Sequence, residues 1–165
     1  MNRRNILNLS AITALGLASL PAGTIAQQKS LKDTVVGTWS ITSVADTYED
    51  GRKDFSFGTG VKGQITLDAN GRMSLIVIGE KQAAMQTNDR RRPDALAVSQ
   101  VGSYSVNEAT KTITTKVERH SNSLGDSGGA SWVVTINGDA MVLASSPITD
   151  KRGTLRPTIE VKRAL

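Results

Sequence analysis

From about residue 36 onward, the chain alternates apolar and polar positions with a period of two, which predicts β-strands with one buried face. The first strand is predicted at 36–45, with Trp39, Ile41 and Ser43 on one face. One helical turn is predicted just before it, at 30–33. The same alternation predicts seven more strands, at 61–67, 73–78, 101–106, 112–118, 131–136, 140–144 and 155–163.

Short turns separate most of these strands. Asp68-Ala69-Asn70-Gly71 and Asn137-Gly138-Asp139 are typical of hairpins, because Asn-Gly accepts positive φ at low cost. Strands joined by hairpins usually pair with their sequence neighbours. Eight such strands lose their exposed edges by closing into a barrel whose interior can hold one small ligand. The sequence therefore predicts an all-β fold, an eight-stranded antiparallel up-and-down barrel, with a sandwich as the alternative.

Three segments interrupt the alternation. The longest, at 79–99, contains Arg90-Arg91-Arg92, and the stretch 95–100 after Pro93 is predicted to form a short helix. An insertion of this length is usually a functional lid or a mobile loop. The arginine run indicates either a solvated loop or a contact for an anionic ligand, a phospholipid head group or an acidic partner. Two further loops are predicted at 120–130 and 147–153.

The N-terminus has the build of a secretory signal peptide. Arg3-Arg4 forms a positive head, an apolar stretch follows, and Thr24-Ile25-Ala26 offers small residues to a signal peptidase, which predicts cleavage after Ala26. The apolar stretch is too short and too diluted for a spanning helix, which needs about 20 apolar residues. Arg3-Arg4-Asn5-Ile6-Leu7 also resembles a twin-arginine export signal. We therefore expect a signal peptide at 1–26, a barrel domain at 27–165, no stable membrane anchor, and a periplasmic or secreted location.

Composition narrows the possible functions. The absence of cysteine removes disulfides, thiolate nucleophiles and cysteine-ligated zinc. A single histidine makes other zinc sites improbable, so no metal and no cofactor are predicted. Without the two signal arginines, 18 of the 20 basic residues remain against 15 acidic ones, a net charge of +3. That weak excess, with only two each of Trp, Tyr and Phe, does not predict nucleic-acid binding.

Gly37-Thr38-Trp39, at the start of the first strand, resembles the Gly-x-Trp signature of the lipocalins. The resemblance spans roughly residues 31 to 163 and is closer to the lipocalin-like domain proteins. It implies an eight-stranded calyx. In lipocalins an arginine near the end of the barrel packs across the signature tryptophan, a role that the resemblance gives to Arg163 or Arg156. The other matching segments are 36–40, 63–65, 68–74, 102–106, 138–141 and 161–163.

His120 is the candidate for acid–base chemistry, because histidine is the usual proton carrier near neutral pH. Glu118 or Tyr104 is its candidate partner. An extended strand would place Glu118 and His120 on the same side. The alternative is a solvated histidine at the barrel rim.

Medium-sized apolar residues on the predicted inward faces are candidate ligand-binding residues. Their alternative role is to fill a solid core. They are Ile65, Leu67, Met73, Leu75, Val77, Val117, Trp132, Val134, Met141 and Leu143.

Three functions are compatible with this sequence. The leading hypothesis is an exported lipocalin-like protein that binds a small apolar or amphipathic ligand in the barrel. The second is a cofactor-independent isomerase, cyclase or lyase that uses His120 in the same cavity. The third is a non-catalytic envelope protein that acts through its surface.

Overall fold

The computed structural model describes residues 29–80, 97–121, 128–151 and 153–164. The predicted signal peptide, Arg90-Arg91-Arg92, most of the loop at 79–99 and the middle of the loop at 120–130 lie outside these ranges. Among the described residues, no helix is long and apolar enough to cross a membrane. The described elements are α1 Leu31–Val35, β1 Gly37–Tyr48, β2 Lys53–Asp54, β3 Lys62–Leu67, β4 Arg72–Ile78, β5 Ala97–Asn107, β6 Thr112–His120, β7 Gly129–Asn137, β8 Ala140–Ser145, β9 Ile148–Asp150 and β10 Gly153–Arg163.

The strands form one antiparallel sheet that closes on itself. Eight strands pair in the order β1-β3-β4-β5-β6-β7-β8-β10, and β10 pairs back with β1. In the closing pair, Trp39 lies opposite Arg163 and Ile41 opposite Val161. The short strands β2 and β9 are added to β1 and β10. The predicted eight-stranded up-and-down barrel is confirmed.

Burial follows the alternation seen in the sequence. On β3, Ile65 and Leu67 are buried, whereas Lys62 and Gln64, which precede them, are exposed. Residues directly opposite each other in an antiparallel pair share a face, so the buried positions of neighbouring strands meet inside the barrel. Met73, for example, lies opposite Leu67 and is buried with it. The core therefore occupies the barrel interior.

The helix α1 covers one end of the barrel. Ser30 caps it by accepting a hydrogen bond from the backbone N–H of Asp33, and its apolar residues Leu31 and Val35 are buried in the core. Glu108, in the turn between β5 and β6, accepts hydrogen bonds of 2.9 Å from the backbone N–H groups of the first two helical residues. These hydrogen bonds lower the pKa of the Glu108 carboxyl. A helix of one turn is thereby fixed to the barrel from two sides.

Trp39 and Arg163 join α1 to the closing strands. The Trp39 ring is fully buried, and its Nε1 donates a hydrogen bond of 2.8 Å to the carbonyl oxygen of Val35. The Arg163 guanidinium carbon lies 4.2 Å from the centroid of that ring. The same guanidinium donates hydrogen bonds to the carbonyl oxygens of Thr34, at 2.7 Å, and Val36, at 3.2 Å. The cation therefore also satisfies carbonyl groups at the helix C-terminus.

The close packing of Arg163 explains the glycine of the Gly-x-Trp segment. Gly37 has a φ of 132°, and a Cβ added there would come within 2.9 Å of Nη1 of Arg163. Any larger residue would have to displace the guanidinium. Arg156, the other candidate for this role, is exposed and lies opposite Thr47, near the other end of the β1–β10 pair from Trp39.

A β-bulge changes which residues of β1 face the core. The pairing with β10 shifts register between Ile41 and Ser43, so that Ser43 lies opposite Glu160 and Val44 opposite Ile159. Val44 packs against the core in consequence. The prediction that Ser43 continues the face of Trp39 and Ile41 is therefore wrong, because the extra residue at the bulge reverses the alternation.

Two predicted boundaries are also corrected. A helix was predicted at 95–100, but its described part, 97–100, is the start of β5. This segment pairs with β4, beginning with Ala97 opposite Ile78. The loop predicted at 147–153 contains β9, whose three residues pair with the start of β10. In both places pairing with a neighbouring strand prevails over local sequence preference.

Candidate ligand cavity

A cavity of about 210 Å³ lies inside the barrel. Most of its wall is apolar, and the wall draws on β3 to β8 and on β10. Gln100, His120 and Gly128 contribute at the end of the barrel opposite α1. The lining residues are Ile65, Leu67, Met73, Leu75, Gln100, Ile113, Thr115, Val117, His120, Gly128, Ala130, Trp132, Leu143 and Ile159.

Most of the candidate ligand-binding residues reach this cavity. Val77, Val134 and Met141 are buried in the core but do not form part of the wall. Contact with a ligand remains a prediction for all of them. The seven that line the cavity are Ile65, Leu67, Met73, Leu75, Val117, Trp132 and Leu143.

Several wall residues were not among the sequence candidates, although the pattern contained a signal for most of them. Ile113 and Thr115 alternate with Val117 on β6, and Ala130 alternates with Trp132 on β7, so strict alternation would have included them. Gln100 carried no such signal, because its segment was predicted to be helical. It enters the wall through the extension of β5.

A β-bulge in β6 turns His120 into the barrel. The pairing with β5 shifts register between Val117 and Arg119, which leaves Glu118 as an extra residue. The next inward position after Val117 is therefore His120 instead of Arg119. His120 is half-buried, lies opposite Gln100 and lines the cavity with it.

Glu118, the residue after the inward-facing Val117, lies on the outer surface. Its carboxylate accepts two hydrogen bonds from the Arg72 guanidinium, at 2.6 and 3.0 Å, and both side chains are about half exposed. The hydrogen bonds and charge of Arg72 lower the pKa of Glu118. The expectation that Glu118 and His120 share one side of the strand is therefore wrong, and Glu118 does not meet the cavity.

Tyr104 is buried but lies far from His120. Its hydroxyl donates a hydrogen bond of 2.7 Å to the carbonyl oxygen of Asp68, in the turn between β3 and β4. Burial, with a smaller contribution from the Asp68 charge, raises the pKa of Tyr104. Tyr104 is four residues along β5 from Gln100, the residue opposite His120, which corresponds to about 13 Å of strand. The three candidate acid–base groups therefore do not come together.

The polar groups of the wall differ in how they are satisfied. The Thr115 hydroxyl is engaged with the backbone of Ala130, to whose carbonyl it donates at 3.2 Å and from whose N–H it accepts at 3.3 Å. Within the described ranges, the side-chain amide of Gln100 makes no hydrogen bond to the protein. The cavity thus combines an apolar body with a polar position beside His120.

The described residues contain no group of three or more His, Asp or Glu side chains arranged to hold a metal ion. The acidic side chains with lowered pKa values, Glu108 and Glu118, lie outside the cavity and are engaged by backbone N–H groups and by Arg72. The wall itself presents neutral side chains and one histidine.

Comparison with known proteins adds little to the description of this chain. No family model matches this sequence, and no curated protein does. A solved structure of EF1p2_mFAP2b bound to DFHBI is similar to this chain, with 16% identity and a TM-score of 0.42, over 80% of this chain and 95% of that one. A similarity of this size says nothing about function here. The barrel assignment rests on the strand pairing of the chain itself.

Proposed function

We propose that this protein binds a small apolar or amphipathic molecule inside its barrel. The observation that carries the proposal is the cavity of about 210 Å³, walled mainly by apolar side chains. Ligand sites are typically concave and apolar, with a few polar groups that orient the ligand. The Gln100 and His120 side chains supply such groups at the end away from α1.

The size of the cavity favours binding over a purely structural barrel. A barrel that acted through its surface alone would need no unfilled volume of about 210 Å³ among its apolar side chains. A ligand that enters the cavity would remove those side chains from water, which is favourable.

The geometry gives the acid–base hypothesis no comparable support. His120 faces the cavity, but the Glu118 carboxylate is on the outer surface with Arg72, and the Tyr104 hydroxyl is hydrogen-bonded to Asp68. The two partners that the sequence suggested for His120 are therefore engaged away from the cavity, and the apolar wall supports binding as the function.

We extend the proposal to location, on the sequence of residues 1–26. The positive head, the apolar stretch and Thr24-Ile25-Ala26 support export to the periplasm or the medium. Cell fractionation with intact mass measurement tests this. The exported form should begin at Gln27. The control Gln27→Glu should be cleaved at the same place, so its mass should differ only by the exchanged side chain. Ala26→Tyr should instead leave uncleaved precursor in the membrane fraction. Recovery of the full-length chain from the cytoplasm alone would contradict export.

Native mass spectrometry of the protein purified from its own host tests the binding proposal directly. A retained small molecule, released on denaturation, is the expected result. A thermal-shift screen against a mixed library of ring compounds and long-chain amphiphiles provides the second measurement, since a ligand at 100 times its Kd stabilises the native state by about 2.7 kcal/mol. No retained molecule and no stabilisation by any compound would overturn the proposal.

A further inference from the structure

The cavity volume limits the size of its ligand. An apolar cavity of about 150 Å³ holds one benzene molecule. A cavity of 210 Å³ is about 1.4 times as large, which corresponds to roughly eight or nine non-hydrogen atoms. Many ligand pockets are larger, at about 300–1,000 Å³. A long acyl chain is therefore larger than this cavity.

The wall also limits the charge of the ligand. Apart from the imidazole of His120, its described side chains carry no ionisable group. The charged neighbours of that residue interact with groups outside the cavity: the carboxylate of Glu118 with Arg72, and the guanidinium of Arg119 with the Glu118 backbone. An ion buried without a partner loses several kcal/mol of solvation. A neutral ligand avoids this cost.

One position in the wall can recognise a polar group. Gln100 lies directly opposite His120, so the two side chains are neighbours on the inner face of β5 and β6. Within the described part of the chain, the Gln100 amide makes no hydrogen bond to the protein, whereas the Thr115 hydroxyl is already engaged with Ala130. The amide carries both donors and an acceptor, which suits a carbonyl or a hydroxyl group.

We infer that the ligand is a compact, uncharged molecule of about eight or nine non-hydrogen atoms, with one carbonyl or hydroxyl group that pairs with the Gln100 amide beside His120. This inference rests on the proposed function, because it specifies the ligand of the same cavity. The apolar body lies against the wall formed by Leu67, Met73 and their neighbours. Trp132 adds an aromatic surface, which favours a ring in that body.

Isothermal titration calorimetry of the full-length chain with four probes tests the inference. Acetophenone has the required size and carbonyl, ethylbenzene lacks the carbonyl, benzoate is charged, and hexadecanoate is long. Acetophenone should bind about 2- to 10-fold more tightly than ethylbenzene, which is the range expected for one net hydrogen bond. Benzoate should bind at least about tenfold more weakly than acetophenone, and hexadecanoate should not bind measurably.

A matched pair of variants tests the role of Gln100. Gln100→Met keeps the size of the side chain and removes the amide, so the advantage of acetophenone over ethylbenzene should disappear while ethylbenzene still binds. Gln64→Met makes the same exchange at an exposed position on the outer face of β3 and should preserve the advantage. Circular dichroism and Tm confirm that each variant folds. If Gln100→Met does not fold, the four probes on the unmodified chain still decide the inference.

Three results would overturn the inference. Benzoate or hexadecanoate could bind as tightly as acetophenone, or Gln100→Met could keep the full advantage of acetophenone, or no probe could bind.

Failure of the inference is separable from failure of the proposed function. If hexadecanoate or another library member binds, and Ala130→Phe abolishes that binding, then the cavity is still the binding site and only the proposed ligand class is rejected. No binding by any probe or library member would reject both.

Discussion

Glu118 and His120, two residues apart on β6, lie on opposite sides of the barrel wall. In a regular strand they would share a face, but Glu118 is the extra residue of a β-bulge. The carboxylate is held outside by Arg72, and the imidazole lines the cavity. The polar end of the cavity therefore depends on a local irregularity of the sheet.

Gly102→Ala should disturb that bulge. A Cβ at Gly102 would overlap the carbonyl oxygen of Lys116, on the facing strand beside the bulge, so the two backbones would have to separate. We expect a loss of about 1–3 kcal/mol in the free energy of unfolding, typical of overpacking at a close contact. Because the chain contains one histidine, the imidazole NMR signal of His120 should shift as well.

Gly128→Ala is the control for this substitution. A Cβ at Gly128 meets no atom within 4 Å, so urea denaturation should give a midpoint close to that of the unmodified protein. Equal stability of the two variants, with the His120 signal unmoved in both, would contradict the role assigned to Gly102.

Glu118→Gln should remove a pH-dependent contribution to stability. The hydrogen bonds and charge of Arg72 lower the pKa of Glu118 from its ordinary value of 4.5. A carboxyl whose pKa is lower in the folded state stabilises the fold above the unfolded pKa, and this stabilisation is lost as the pH falls through the folded pKa. The unmodified protein should therefore exceed the variant in stability above pH 4.5, and the two should converge at lower pH.

A double-mutant cycle with Arg72→Gln isolates this ion pair. In that background, Glu118→Gln should have little further effect at any pH, because the partner is already missing. Chemical denaturation at several pH values provides the measurement. The stability difference should also shrink in high salt, since both side chains are exposed. A difference that persisted in the Arg72→Gln background would assign it to another contact.

Arg163→Ala should weaken the closed end of the barrel. It removes a cation over the Trp39 ring and two hydrogen bonds to the carbonyl oxygens of Thr34 and Val36. Cation–π contacts contribute about 0.5–2 kcal/mol, and hydrogen bonds from charged groups about 1.5–3 kcal/mol. Contacts made by one side chain do not add, and water can replace part of what a half-buried guanidinium donates. We therefore expect a loss of about 2–4 kcal/mol in the free energy of unfolding, below the sum of the separate contributions.

Arg156→Ala is the matched control, because this arginine is exposed on the same strand. Its effect should remain within about 0.5 kcal/mol. Thermal or urea unfolding, followed by tryptophan fluorescence, distinguishes the two variants. If both variants lost the same stability, the contact of Arg163 with Trp39 would not be the reason.

The regular part of the fold could be predicted from the sequence. Alternation is a local property, so the inward positions on β3, such as Ile65 and Leu67, follow from the chain alone. Asn70-Gly71 and Asn137-Gly138 indicate which strands are neighbours. Together these signals suffice for an antiparallel barrel with an apolar interior.

The irregular part depends on partner strands and could not be predicted in the same way. The bulges at Thr42 and Glu118 arise from register shifts against β10 and β5, which no local pattern encodes. They decide that Val44 and His120 face inward. Gln100 was missed for a related reason, because pairing with Leu75 on β4 overrides the helical preference predicted after the proline-containing segment.

The central claim is that the barrel cavity is a binding site, and a matched pair of phenylalanine substitutions tests it most directly. Ala130 lines the cavity on β7, whereas Ala144 lies on β8 opposite the exposed residue Val133. Titration calorimetry of both variants is carried out with the compound that the unmodified protein binds most tightly. Ala130→Phe should abolish binding and Ala144→Phe should leave the Kd unchanged, with both proteins folded. Full binding by Ala130→Phe would contradict the claim.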